Sequence, residues 1–387
     1  MGLAGRDRER GEPSYVQYLC ENLGKKDGDY LNSNDMLLQN YDDDFYFFGT
    51  EVSIAFQKEL LDLKGKNVTF IEIADNSLDE IYEQILILLE KSKDEVILDV
   101  THGFRHQPIS AIFAATFYRF LNHTQLRVIF AKEITAYAKY EYIYLNDYLD
   151  LSQLTFQLSG FIQTLNFVES APLQGFDTSA FLRFSDALLS NDFAALCKNY
   201  ENLKKVIDTA KIDKRYKHLS HLFETIEKDL SVFQTFDNKA MYAQYLSVAE
   251  LMLSKNYLLL ALTYLYETIR FYSSRAFYKH KLIEKDVWRK GNHYKLNQEV
   301  ITFITQKDFK GNYNKTYYDK NYALLFSKNE NSFKKISAIY IKLRNLRNHL
   351  THINPEETKF SIEMTLENLL LEIKDMLNED ILKDLKY

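Results

Sequence analysis

Cysteine and proline are scarce in this 387-residue chain, at two and four residues, and glycine stops at 12. Cys20 and Cys197 lie far apart in sequence, which excludes a disulfide framework or a thiolate metal centre and points to a reducing, cytoplasmic compartment. No apolar run approaches the ~18 residues that a membrane-spanning helix needs. The opening MGLAGRDRERGE lacks the apolar core of a signal peptide. Walker-type and Gly-x-Gly-x-x-Gly loops are missing, so P-loop nucleotide hydrolysis and dinucleotide binding lose their sequence support. There is no fixed-period repeat and no low-complexity tract. These absences predict a soluble intracellular protein without membrane contact, built from long segments with few breakers.

What is present can build a core. Apolar residues make up 46% of the chain, and at ~100–200 residues per domain the length predicts two or three domains. The formal charge of −6 conceals an uneven distribution. Between Lys255 and Leu350 there are 19 Lys and Arg against 7 Asp and Glu, a balance of +12, whereas residues 1–150 carry 15 against 26, a balance of −11. A polyanionic partner is therefore expected in the last third, where the bland alternative is a solvated, lysine-rich helical surface. The 27 Phe and 28 Tyr are dispersed at spacings that suit packing, not a base-stacking platform.

Residues 1–150 alternate strand and helix patterns. Strands are expected at Phe45–Phe48, Asn67–Ile73, Glu95–Val100, Leu126–Phe130 and Tyr140–Leu145, with helices at Val52–Leu63, Leu78–Leu89 and Pro108–Leu121, Pro108 taking the first helical position. Alternation with short connections predicts a mainly parallel, Rossmann-like α/β sheet covered on both faces. From Leu151 onward helical periodicity dominates, giving an all-α connector over 151–240 and a second helical domain over 241–387. The cluster SAPLQGFDTS around Pro172 and Gly175 reads as a linker. Tyr242–Leu253 and Tyr257–Phe271 read as a helix pair turned at Ser254-Lys255-Asn256, Glu299–Tyr322 as a loop or small hairpin, and Ser332–His352 and Phe360–Leu377 as the closing helices.

The first chemical constellation is Asp99-Val100-Thr101-His102-Gly103-Phe104-Arg105-His106, between a buried strand and a helix. Ligands of open parallel sheets lie outside the carboxyl ends of the strands, where helix N-termini offer free N–H groups to anions. Gly103 allows close backbone approach, Thr101 offers a hydroxyl, and Arg105 can pair with phosphate oxygens. A second strand end, Gly49-Thr50-Glu51, would lie nearby if the two strands are neighbours. The ordinary structural alternative is that Asp99 or Thr101 caps the turn and that His102 and His106 are strand-end polar residues. Asp42-Asp43-Asp44 reads as a solvated loop in preference to a Mg²⁺ site, and His218 and His221 have no evident partner ligands, so no metal or cofactor is assigned.

The second constellation lies near the end of a helix. Ile336, Ile339, Leu343, Leu346 and Leu350 share one face, while Arg344, Asn348 and His352, spaced i, i+4, i+8, form a polar stripe, with Arg347 at the border. A histidine can move a proton to or from a ribose 2′-OH or a 5′ leaving oxygen, and arginine stabilises charge developing on phosphorus. Asparagine can orient either group. The alternative is a set of polar residues complementing the helix dipole.

The wording D-V-T-H-G-F-R-H-Q-P resembles the Asp-x-Thr-His-Gly motif of CRISPR-associated CARF proteins, the cyclic-oligoadenylate sensors of type III systems. R-N-H-L-T-H, from Arg347 to His352, resembles the Arg-x(4–6)-His signature of HEPN ribonucleases, with an overlapping match from Arg344 to His349. The pair, in this order, is similar to the CARF–HEPN ribonucleases. The resemblance implies a Rossmann-like CARF domain followed by an all-α connector and a HEPN domain, in a homodimer whose assembly beyond the dimer is left open. It implies cyclic oligoadenylate, tetra-adenylate favoured, as allosteric activator, bound by Gly49, Thr50, Glu51, Thr101, His102, Gly103, Phe104 and Arg105. It further implies metal-independent endoribonuclease action by Arg347, Asn348 and His352 on single-stranded RNA in antiviral defence, leaving a 2′,3′-cyclic phosphate; no DNA substrate is expected. Where the family opens with a strand and a Gly-containing loop, MGLAGRDRERGEPSYVQY enters at the loop, so the first strand is expected to be absent or altered, with Ser14 and Tyr15 as the N-terminal contacts in question. Two rivals stay open: cleavage of the cyclic activator by the CARF-like domain itself, with Thr101, His102 or Arg105 positioning the phosphate, and a non-catalytic sensor.

Overall fold

The computed structural model describes residues 13–73, 78–92, 95–103, 106–121, 126–169, 173, 175–283, 285, 288, 293–305, 322–351 and 359–385. The chain divides into two compact units. One comprises Met1–Phe161, Phe167–Leu182 and Ala210–Leu219, the other Ile162–Asn166, Arg183–Thr209 and Ser220–Tyr387.

In the first unit, β1 (Val16–Leu19), β2 (Gly28–Tyr30), β5 (Val96–Asp99), β6 (Leu126–Thr135) and β7 (Lys139–Tyr144) form a five-stranded sheet in the order β2-β1-β7-β6-β5. β3 (Asp44–Gly49) and β4 (Asn67–Glu72) form a separate parallel pair. The β5–β6 and β1–β7 ladders are also parallel, whereas β1–β2 and β6–β7 are antiparallel. The sheet is thus mixed where a mainly parallel one was expected, because short connections can join only antiparallel neighbours. At the β6–β7 turn Tyr137 adopts the left-handed region, with φ 57°. The first strand is present as β1, yet it pairs with β2 and β7 and not with β5.

Both faces of β6 are buried. Leu126 and Val128 pack with Ile85 and Leu89 of α3 (Leu78–Lys91) and with Ala111, Ala114, Ala115 and Tyr118 of α4 (His106–Leu121). Ile129 and Ala131 join Tyr18, Cys20, Met36 and Tyr142 in a second cluster. Alternate residues of one strand point to opposite faces, so two cores on one strand mean a sheet covered on both sides there. Each fully buried Leu, Val or Ile contributes about 1.5–3 kcal/mol. α4 begins at His106, which makes Pro108 its third residue and not its first. Proline is tolerated there because N–H groups of the first turn have no intrahelical acceptor. Two further helices, α1 (Ser33–Asn40) and α2 (Glu51–Leu60), complete the surroundings of the site.

The regular elements that follow β7 are helical among the described residues: α5 (Asn146–Thr164), α6 (Ser179–Leu189), α7 (Phe193–Ile212), α8 (Ser220–Leu230), α9 (Met241–Ser254), α10 (Leu258–Lys279), α11 (His293–Thr305), α12 (Tyr322–Lys328), α13 (Glu330–Thr351) and α14 (Lys359–Asn378), with short 3₁₀ turns between some of them. Of the expected linker, residues 170–172 and 174 lie outside the described residues. α9 and α10 form the expected pair. Asn256 turns the chain with φ 62°, and Lys255 Nζ ties the turn to the Asp229 carboxylate at 2.6 Å and to the Ile162 carbonyl at 2.5 Å. In the second unit α10 is the central helix. Phe277 meets Phe303 of α11 at 5.7 Å between ring centroids, and Phe303 meets Phe333 of α13 at 6.2 Å. The expected loop over Glu299–Tyr322 is corrected at both ends: Glu299–Thr305 belongs to α11 and Tyr322 opens α12, while residues 306–321 lie outside the described residues. The reason is burial, since Val300, Ile301, Phe303 and Ile304 are all within the core. Among the described residues no helix is long and apolar enough to cross a membrane.

Candidate functional site

The turn after β5 is fixed by its own carboxylate. Asp99 Oδ1 accepts the Thr101 N–H at 2.9 Å and also the Thr101 hydroxyl. That hydroxyl in turn accepts the Ala131 N–H of β6 at 2.8 Å. Burial pushes the Asp99 carboxyl up, and the hydrogen bonds from Thr101 and Ser33 pull it back. A hydroxyl has one proton, so Thr101 cannot donate to a phosphate without releasing Asp99. Its role in this geometry is to hold the turn.

His102 and Gly103 follow from the same constraint. His102 Nε2 faces the Ser33 N–H at 3.5 Å, and burial lowers its pKa from 6.5 to about 4. The imidazole is therefore neutral at pH 7, and with Nε2 accepting, its proton sits on Nδ1 as a donor. Gly103 has φ 139°, and a Cβ there would stand 2.7 Å from Gln107 Oε1. The backbone conformation, which L side chains rarely adopt, is what favours glycine there. Phe104 and Arg105 lie outside the described residues.

The N-terminus of α1 stands beside this turn and was not anticipated. Asn32 caps the helix by accepting the Asp35 N–H at 3.1 Å, while the Asp35 carboxylate accepts the Leu31 N–H at 2.9 Å. This is a reciprocal cap, legible in hindsight in N-S-N-D before an apolar run. Asn32 Nδ2 also donates to Gln57 Oε1 of α2 at 3.0 Å. The Ser33 hydroxyl lies beside Asp99 and Tyr142, and the buried Asn34 Nδ2 has no partner among the described residues.

Gly49 ends β3, Thr50 caps α2 by accepting the Ser53 N–H at 3.4 Å, and Glu51 opens that helix. β3 is not a ladder neighbour of β5 among the described residues, so the condition under which these residues would lie near the Thr101 turn by strand pairing is not met. α1 makes the link instead, with Ser33 meeting His102 and Asn32 meeting Gln57. The arrangement offers neutral donors and helix N-termini, which suit a phosphate without a fixed positive charge. Ser14 and Tyr15 precede β1, and Tyr15 is exposed.

In the second unit, Ile336, Ile339, Leu343 and Leu346 bury the inner face of α13, and Arg344, Arg347, Asn348 and His349 are exposed near its end. His352 lies outside the described residues. The Arg347 guanidinium lies 5.3 Å from the ring centroid of Tyr266 on α10, and Arg270 lies 5.6 Å from the same ring. Arg270, 1% exposed, donates to Glu267 at 2.5 Å. The Tyr266 and Tyr340 hydroxyls are hydrogen-bonded, with ring centroids 4.7 Å apart. Burial pushes the Glu267 carboxyl up, and Arg270 and Arg347 draw it back down. Tyr266, Glu267 and Arg270 escaped the sequence reading, although a Glu-x-x-Arg pair inside an apolar helix was a visible signal. Among the described residues no group of three or more His, Cys, Asp or Glu is placed to hold a metal ion.

Comparison with known proteins bears mainly on the first unit. Residues 13–143 match the family described as the CRISPR system endoribonuclease Csx1, CARF domain. That span runs from just before β1 into β7 and includes the Asp99–Gly103 turn. No curated protein matches the chain. Among solved structures, Enterococcus italicus Csm6 bound to cyclic hexa-2′-fluoro-hexa-dAMP is similar over 91% of this chain and 90% of that one, at 13% identity and a TM-score of 0.37.

Proposed function

We propose that the chain is a cyclic-oligoadenylate-activated, metal-independent endoribonuclease that cleaves single-stranded RNA in type III CRISPR antiviral defence and works as a homodimer. The observation that carries this reading is the Asp99–Gly103 turn, locked at a strand end beside the α1 N-terminus, inside the segment that matches the CARF family. The activator's phosphates would lie against His102, Gly103 and the N-terminal residues of α1 and α4, with Arg105 supplying charge and the Gly49–Glu51 end contributing through α2. Cyclic tetra-adenylate is the favoured ring.

The dimer is supported by a surface of the first unit. Ile109, Phe113 and Phe117 stand at i, i+4, i+8 on α4 and are 54%, 64% and 46% exposed. An apolar stripe of this kind is self-complementary about a two-fold axis. Two copies of the second unit would then bring together two sets of Arg347, Asn348 and His352. His352 moves the proton of the ribose 2′-OH or of the 5′ leaving oxygen, Arg347 stabilises the charge developing on phosphorus, and Asn348 orients the phosphate. The 2′-OH attacks its own phosphate, the P–O5′ bond breaks, and the products carry a 2′,3′-cyclic phosphate and a 5′-hydroxyl. DNA lacks the nucleophile. The +12 balance over 255–350 favours a polyanionic substrate. Activation requires that the ring bind the active dimer more tightly than the inactive one.

The test is cleavage of labelled single-stranded RNA in EDTA, with and without cyclic tetra- and hexa-adenylate, for wild type and His352→Ala. Cleavage elicited by one ring and lost in the variant is the expected result. Tight binding of a ring without any cleavage would replace this reading with a sensor, or with an enzyme that cleaves the ring.

A further inference from the structure

The polar cluster on α10 has no part in the reading above, although it touches the residue given the central electrostatic role there. An exposed arginine on the last turns of a helix samples many rotamers, and each must be given up when the side chain meets a phosphate. Arg347 is exposed, yet its guanidinium already lies on the face of Tyr266, 5.3 Å from the centroid. The ring is itself fixed, being 8% exposed and hydrogen-bonded through its hydroxyl to Tyr340, about two turns before Arg347 on α13. A second guanidinium, that of Arg270, lies 5.6 Å from the same ring. Two cations near one ring repel each other unless an anion is close to both; Glu267 is bonded to Arg270 at 2.5 Å, and its carboxyl also feels the charge of Arg347. Its carboxyl, pushed up by burial, is drawn back by both arginines.

We propose that Tyr266 and Glu267 are positioning residues, which hold the Arg347 guanidinium in its cleavage-competent orientation before RNA arrives. This rests on the ribonuclease reading for its catalytic meaning, and on the contacts within the second unit for its physical content. Tyr266 supplies a directional cation–π surface, and Glu267 supplies the charge that lets two guanidinium groups share it.

Two measurements on the full-length protein test the proposal. In ring-activated RNA cleavage, Tyr266→Leu and Glu267→Gln are expected to lower kcat on the order of tenfold to a hundredfold with little change in KM, the cost of a misplaced group. Tyr266→Phe keeps the ring face and is expected to recover most of the rate. Equal losses in Tyr266→Phe and Tyr266→Leu, or a loss confined to KM, would overturn the proposal. The second measurement needs no activity: thermal unfolding of Tyr266→Leu, Arg347→Ala and the double variant. The combined fall in Tm is expected to be smaller than the sum of the single falls, because both variants remove one contact. Strictly additive falls would overturn the proposal, whereas coupling in a wild type that cleaves no RNA would overturn the ribonuclease reading alone.

Discussion

The Thr101 hydroxyl accepts the Ala131 N–H at 2.8 Å while donating to the Asp99 carboxylate, and so fastens the end of β5 to β6. Removing it leaves a backbone N–H without its acceptor and a carboxylate without one of its donors. Thr101→Val, which keeps the shape, is expected to lower unfolding stability by about 1–3 kcal/mol. Thr101→Ser, which keeps the hydroxyl, should lose much less. Urea denaturation of the two variants checks this, and a Thr101→Val protein as stable as wild type would show that the lock is idle.

His102 gives the same turn a pH dependence. Its folded pKa of about 4 lies below the free value of 6.5 because burial disfavours the cation. The folded protein therefore resists protonation, so the stability linked to neutral His102 is complete above pH 6.5 and is lost as pH falls toward 4. The loss is at most about 3 kcal/mol. Asp99 acts in the opposite sense, since its pKa is raised by burial and its contribution is lost as pH rises. The stability gap between wild type and His102→Gln is thus expected to narrow from about pH 7 to about pH 4.5 in denaturation curves. A gap that stays constant would mean that the imidazole already protonates freely.

These residues also show where sequence reading succeeds and where it stops. β3 and β5 were legible because FYFF and VILD are short apolar runs with breakers beside them, and α13 because Ile336, Ile339, Leu343 and Leu346 keep helical spacing. The partner of β1 was not legible, since Tyr18 pairs with Tyr140, and register over that separation is a tertiary property. Glu299 misled because a polar residue on the outer side of α11 was taken for a loop, while Val300, Ile301, Phe303 and Ile304 carried the burial. At the candidate sites the motif residues were visible in one dimension. Their supports, Ser33 beside His102 and Tyr266 beside Arg347, come from other elements, and only packing brings them there.

Arg119 of α4 and Asp150 of α5 form an ion pair with side chains only 9% and 14% exposed. Taking Arg119 away removes a cationic partner from a carboxylate in a poorly solvated place. Arg119→Ala is expected to cost about 3–5 kcal/mol. Replacing both, as Arg119→Met with Asp150→Leu, should return most of that stability, because a well-packed apolar pair avoids desolvating two ions. Chemical denaturation of the single and double variants decides it; a double variant as unstable as the single one would show that the pair sets the packing of α4 on α5 by more than its charge.

Phe113 occupies the middle of the α4 stripe and is 64% exposed, so it adds little to the core of its own chain. In a homodimer joined along this helix it would be the most heavily buried member of the stripe, flanked by Ile109 and Phe117 from each copy. Phe113→Glu puts two like charges at the two-fold axis, in a setting where neither is solvated. It is expected to shift sedimentation velocity from dimer to monomer while leaving the Tm of the chain near that of wild type. A ring that bound across the axis would need both copies, so under the proposed function affinity for cyclic tetra-adenylate, read by calorimetry, should fall in the same variant by at least an order of magnitude, ~1.4 kcal/mol. A variant that remains dimeric would place the interface elsewhere, and one that is monomeric yet binds the ring with full affinity would confine the ligand to a single chain.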